Sequence, residues 1–340
     1  MQSASRGSAG QWPVFAALRA SFVAARADSP GIWEQGTHDS LHFCWNVADV
    51  VLADHLLFSA SPNMTAGSAG AALTSRPSSI GTGNLDNQWI VTPRPNPKAA
   101  IRLICVPHAG GGVSSFRGWS ERVGAAEVGV VQLPGRGSRL REPVLESLPT
   151  AAAAIVEEIA RGPVVPTVLF GHGLGALIAF ETARRLEARG WPMLALFVSG
   201  RRAPALPETG PLRSQLPLEQ LITEARRRSD AVAPDAALDK ELIELMIPGL
   251  RADFAMIDGY RYQPAPPLRC PIVACCGAGD PYASRPETEA WRSETTARFS
   301  LHTFTGGHFY LQREQEAVTA LVANQLSVMV SARARWAAAH

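Results

Sequence analysis

Five residues, Gly171-His172-Gly173-Leu174-Gly175, limit what this chain can fold into more than any other stretch. They follow the apolar run Pro166 to Phe170 and lead into Leu174 to Ala188, which reads as a helix. A strand that passes sharply into a helix needs small residues at the turn, because the two backbones come close together. The same order recurs along the chain. Ile101 to Val106, Val128 to Leu133, Leu194 to Val198, Pro271 to Cys275 and Phe299 to Phe304 are short apolar runs. Phe116 to Val123, Thr150 to Arg161 and Glu314 to Arg333 are helix-like segments set among them. Such alternation predicts βα units and an α/β fold with a mainly parallel sheet flanked by helices.

One segment breaks the rhythm. Between Arg201 and Tyr262 no strand is predicted. Leu218, Leu221 and Ile222 mark one amphipathic helix, and Leu242, Leu245 and Met246 mark another that is expected to stop near Pro248-Gly249. A helical insertion at this point lies over the C-terminal ends of the strands, where open α/β sheets bind ligands. Residues 208–257 are therefore read as a lid or acyl-channel wall. Ahead of the regular pattern, residues 1–95 show no sustained strand–helix alternation. Ala60 to Pro97 is rich in Ser, Gly, Thr, Asn and Pro and reads as linker or disordered sequence. Met64 marks an alternative start. The expected organisation is an N-terminal extension, 1–95, and one α/β domain, 96–340.

Composition excludes several functions. With 340 residues, 46% hydrophobic and 18% charged, the chain fits a soluble globular protein. A net charge of +2 and the lack of a long basic run argue against nucleic acid as a partner; Arg226-Arg227-Arg228 reads as a solvated helix face. No apolar run is long enough for a membrane span, and no signal peptide is evident. The five cysteines, Cys44, Cys105, Cys270, Cys275 and Cys276, match no zinc spacing, so no metal and a reducing, cytoplasmic location are expected.

The chemistry converges on four elements placed after predicted strands. They are the Gly171–Gly175 turn, the loop His108-Ala109-Gly110-Gly111, Asp280, and His308 in Gly306-Gly307-His308-Phe309. Strand, sharp turn and helix are the setting of a Gly-x-Ser-x-Gly nucleophile elbow, and the order nucleophile, acid, histidine is that of α/β-hydrolases. In such a set the imidazole takes the nucleophile's proton and the carboxylate fixes its tautomer. Here position 173, where Ser is expected, holds Gly. The backbone N–H groups of Ala109 and Leu174 are the candidate oxyanion donors. Ser114 and Ser115 read as helix-start residues, Ser199 is set aside as a nucleophile, and the His172 side chain is expected to point away from position 173. Without a hydroxyl there, covalent hydrolysis is expected to be impaired. Alternatives are a non-covalent His308/Asp280 catalyst of cyclisation, elimination or addition, and a binding module without catalysis.

From Ala99 to Ala334 the chain resembles the type II thioesterases of polyketide and nonribosomal peptide assembly. The motifs are Pro107-His108-Ala109-Gly110-Gly111, Gln132-Leu133-Pro134-Gly135-Arg136-Gly137, the 171–176 turn, Ser199-Gly200-Arg201-Arg202-Ala203-Pro204, Tyr260-Arg261-Tyr262, Gly279-Asp280 and Gly306-Gly307-His308-Phe309-Tyr310-Leu311. The resemblance implies an α/β-hydrolase with a helical lid, acting on acyl thioesters. Its partner would be an acyl or peptidyl carrier protein, whose 4′-phosphopantetheine arm holds the substrate, with no cofactor of the enzyme's own. By that resemblance the nucleophile position is Gly173, the acid is Asp280, the base is His308, and the oxyanion hole is formed by Ala109 and Leu174. A monomer is expected.

Overall fold

The computed structural model describes residues 88–339 apart from 125, 209 and 229–239, and their side chains except at 224–228, 240–245 and 332–339. Residues 1–87, with Cys44 and Met64, lie outside the described residues, as do the side chains of Arg226, Arg227, Arg228, Leu242 and Leu245.

Seven strands form one sheet: β1 (Ile90–Val91), β2 (Arg102–Val106), β3 (Glu127–Val131), β4 (Thr167–His172), β5 (Met193–Ser199), β6 (Ile272–Gly277) and β7 (Phe299–Phe304). Their order is β1-β3-β2-β4-β5-β6-β7. All pairs are parallel except β1 with β3. The antiparallel edge strand β1 falls inside the stretch read from sequence as extension. Its Ile90 covers Gly129, where an added side chain would meet it at 2.6 Å. The central strands are buried on both faces, which explains their nearly unbroken apolar sequence.

Helices α1 (Trp119–Val123), α2 (Leu148–Arg161), α3 (Leu174–Ala188), α4 (Leu218–Arg228), α5 (Lys240–Gly259), α6 (Arg285–Glu289), α7 (Tyr310–Arg313) and α8 (Gln315–Ala339) surround the sheet. On one face α2 and α3 pack with Phe254, Met256 and Ile257 of α5 against Ile104, Leu169, Leu196 and Ile272. On the other, Trp119 and Val123 of α1 and Val318, Val322 and Leu326 of α8 cover Leu103, Phe170, Phe197 and Val273. Helix α2 begins ahead of the expected Thr150 because Ser147 caps it, accepting the Thr150 N–H at 3.4 Å, and Pro149 is tolerated in a first turn.

The helical insertion follows β5, as expected, and carries α4 and α5. Its second helix does not stop at Pro248-Gly249: α5 runs through Pro248 to Gly259. A proline forfeits one backbone bond, but the turns beyond it bury Ala252, Asp253, Phe254, Met256 and Ile257. That burial holds the helix together where local propensity predicts an end. Leu221 is buried, whereas Leu218 is exposed.

Candidate active site

The turn after β4 explains its glycines unequally. A Cβ on Gly171 would lie 2.1 Å from the Gly175 carbonyl oxygen, and one on Gly175 would lie 2.1 Å from that of Val106. Both are required by the contact between β4, α3 and β2. Gly173 is different. It precedes α3 with φ 57° and ψ −117°, and a Cβ there would meet His308 Nε2 at 3.5 Å and His108 Cβ at 3.6 Å, which is ordinary contact. Position 173 is thus held by conformation, not by crowding, and it faces the imidazole of His308.

His308 and Asp280 come together as expected. Asp280 ends the turn after β6, where its Oδ1 accepts the Tyr282 N–H at 2.9 Å, and its Oδ2 lies 2.8 Å from His308 Nδ1. Both side chains are buried. The carboxylate draws the proton to Nδ1 and leaves Nε2 as the basic nitrogen toward Gly173. Tyr282, Phe309 and His172 surround the His308 ring at centroid distances of 5.5, 5.1 and 5.1 Å and fix its plane.

Across the turn stands the His108–Gly112 loop. His108 Nδ1 meets the Ala109 carbonyl at 3.0 Å, and burial lowers the His108 pKa to about 4. Leu174 is the first residue of α3, so its N–H belongs to the first helical turn, whose donors have no partner within the helix and share the positive end of the dipole. The structure therefore brings position 173, His308 and Asp280 together at the C-terminal ends of β4, β6 and β7, with Leu174 next to Gly173 in the chain and Ala109 next to His108, whose Cβ also borders position 173.

The His172 ring lies 5.1 Å from that of His308 and 6.0 Å from that of His108. One expectation is corrected: the site is not without a serine–imidazole pair. Parallel pairing of β4 with β5 sets His172 opposite Ser199, and Ser199 Oγ lies 2.8 Å from His172 Nδ1. Ser199–His172 stands beside His308–Asp280, so serine, imidazole and carboxylate are all present, and the expected impairment of covalent hydrolysis through Gly173 is overturned by that arrangement. The cross-strand register that joins residues 172 and 199 has no local sequence signal. Ser199 also bonds to the Tyr310 hydroxyl, and all three residues are buried. Burial, followed by the nearby His308 and His108, holds the His172 pKa well below its usual range, so its imidazole is neutral.

A further pair escaped the sequence reading. Arg136, in the Pro134–Gly137 motif, forms a buried ion pair with Asp253 of α5. The only signal was an acidic residue inside the apolar run Ala252-Asp253-Phe254-Ala255-Met256-Ile257. Among the described residues no group of three or more His, Cys, Asp or Glu side chains is placed to hold a metal ion. Cys105, Cys270, Cys275 and Cys276 are buried and unbridged. No helix among the described residues is long and apolar enough to cross a membrane.

A parallel sheet flanked by helices, a sharp strand–helix turn, and an acid and a histidine after the last two strands define an α/β-hydrolase. Residues 101–326 match the family model of the thioesterase domain. The chain is 39% identical over 267 residues to Thioesterase PikA5 of Streptomyces venezuelae, covering 75% of this chain and 90% of that one. It is 36% identical over 248 residues to Gramicidin S biosynthesis protein GrsT of Aneurinibacillus migulanus, covering 72% and 96%. Among solved structures it resembles the type II thioesterase BorB from the borrelidin biosynthetic cluster, at TM-score 0.66 and 38% identity over 71% of this chain and 98% of that one. It also resembles the thioesterase RedJ from the prodiginine pathway of Streptomyces coelicolor, at TM-score 0.62 and 38% identity over 67% and 91%. The chain belongs to the thioesterase family and is a hydrolase.

Proposed function

We propose that this protein hydrolyses acyl thioesters carried on the 4′-phosphopantetheine arm of an acyl or peptidyl carrier protein during polyketide or nonribosomal peptide assembly. The observation that carries this reading is the His308–Asp280 pair facing the turn at Gly173, in a chain similar to type II thioesterases along its whole α/β domain. In this reading Asp280 holds the His308 tautomer, and His308 Nε2 takes the proton of the attacking group and returns it to the departing thiol. The N–H groups of Ala109 and Leu174 receive the charge on the thioester oxygen. Gly173 leaves room for the acyl carbonyl beside His308, and the buried Ser199–His172 pair lies against the His308 ring as the seryl candidate for an acyl-enzyme route. Water enters, and a free acid and the carrier thiol leave. The insertion, residues 208–257, covers the acyl chain, whose burial is favourable by roughly 0.8 kcal/mol per CH₂. The enzyme works as a cytoplasmic monomer and needs no cofactor of its own.

Intact-mass analysis of an acylated carrier protein tests this. The parent protein removes the acyl group, and His308→Ala slows removal by roughly 10²- to 10⁴-fold. An acyl adduct on the parent that is missing from Ser199→Ala assigns the nucleophile to Ser199; an adduct that persists moves it elsewhere. A folded parent that leaves carriers loaded, with short and long acyl groups alike, overturns the reading.

A further inference from the structure

Asp253 is fully buried on α5, near the C-terminal end of the insertion. Its carboxylate has three donors. Arg136 Nη2 donates to Oδ1 at 2.7 Å, Arg136 Nη1 donates to Oδ2, and the backbone N–H of Gly110 donates to Oδ2 at 2.7 Å. Gly110 follows Ala109 on the loop assigned to the oxyanion hole. Arg136 Nη1 also reaches the Gly111 carbonyl at 3.4 Å. The other end of the loop is tied to the same arginine through Gln132. The Gln132 Oε1 accepts the Val113 N–H at 3.2 Å, and its Nε2 donates to the Arg136 carbonyl at 2.9 Å.

The fit of α5 onto this network is close. A Cβ on Gly249 would lie 3.5 Å from the Gly135 carbonyl, and Leu250 Cδ1 lies 3.3 Å from the place of a Cβ on Gly110. A buried carboxylate needs a neutralising partner, and Arg136 supplies it. That pairing does not by itself explain why Asp253 also accepts a backbone N–H from a loop 143 residues away in the chain.

We propose that Asp253 is a positioning residue, a latch through which the helical insertion holds the 109–112 loop in the conformation that aims the Ala109 N–H at the thioester oxygen. When α5 leaves its seat, Gly110 loses its acceptor and Arg136 its counter-charge, so the oxyanion loop is ordered only while the insertion is closed over the site. Closure and catalytic competence become one event, and a substrate chain that prevents α5 from seating is turned over slowly even when bound. The catalytic consequence rests on the proposed thioesterase reading; the mechanical one does not.

Hydrogen exchange on the full chain separates the two. Asp253→Ala strands Arg136 and risks misfolding, so the informative pair removes the charge first. In Arg136→Met/Asp253→Asn the amide oxygen still accepts the Gly110 N–H; in Arg136→Met/Asp253→Leu nothing does. The leucine variant should exchange amides in 108–112 roughly ten- to a hundredfold faster than the asparagine variant, as loss of a hydrogen bond to a polar acceptor implies. Sheet amides should be equal in the two. On an acyl-pantetheine substrate the leucine variant should lower kcat more than it changes KM. Equal loop exchange in the two variants overturns the latch. A parent inactive on every acyl thioester overturns the thioesterase reading and leaves the exchange result to decide the latch alone. Faster loop exchange in an active leucine variant with unchanged kcat overturns the catalytic consequence.

Discussion

Gly171 and Gly173, two residues apart at the turn after β4, carry different constraints. The first is excluded from having a side chain by backbone 2.1 Å from where Cβ would stand; the second has space but a positive φ of 57°. Moving backbone out of a strand–helix contact disturbs a packed core, whereas a strained φ at an open position costs about 1–3 kcal/mol. Gly171→Ala should therefore lower stability by at least about 3 kcal/mol, well beyond Gly173→Ala. Urea unfolding of the two variants measures the order, and equal losses would show that the contact at Gly171 yields easily. The same contrast shows how far a residue can be read from sequence. The spacing of three glycines announced the turn, yet which of them was sterically compelled depended on how closely α3 packs back on β4 at Gly171 and on Val106 of another strand at Gly175.

At the scale of elements, neighbouring pieces are joined by side chains that satisfy backbone groups. Glu187, in the last turn of α3, accepts the N–H groups of Arg269 and Cys270 at 2.9 Å each, just before β6. Glu187→Ala leaves two backbone donors without that acceptor and should destabilise the fold by about 2 kcal/mol, with turnover by the folded protein unchanged. Thermal unfolding and activity on the same sample check both halves, and a large loss of turnover at full folding would contradict a purely structural role. Helix α5 teaches a related point. Pro248-Gly249 looks like a stop in one dimension, but the turns that follow are buried against the sheet-side core, and tertiary burial overrides the local signal. Strands and long helices were legible because their apolar periodicity is local. The edge strand β1 was not, since two residues carry no period and are specified by pairing with Val130 and Val131.

For the molecule as a whole, the site's histidines link stability to pH. His108 is lowered to about 4 and His172 lies well below the usual value of 6.5, burial being the main cause for both. In the folded state they bind fewer protons than in the unfolded chain, so stability is complete above about pH 6.5 and falls as pH drops toward 4. His172, with no exposed surface, carries most of this effect; His108 is partly exposed, and water weakens its share. Denaturant midpoints should decline from pH ~7 to pH ~4.5, and His172→Gln should flatten the decline. An unchanged slope in that variant would place the titration elsewhere. The α/β alternation, the glycine turn and the order Asp280 then His308 follow from residues near one another in the chain, and they were enough to indicate the sheet, the helices and the placing of Asp280 beside His308. Ser199 beside His172 needed the register between two strands, and Asp253 beside Arg136 and Gly110 needed a helix seated across the site. Local pattern specifies elements because strand and helix periods repeat over a few residues, whereas contacts across 117 or 143 residues depend on how those elements pack.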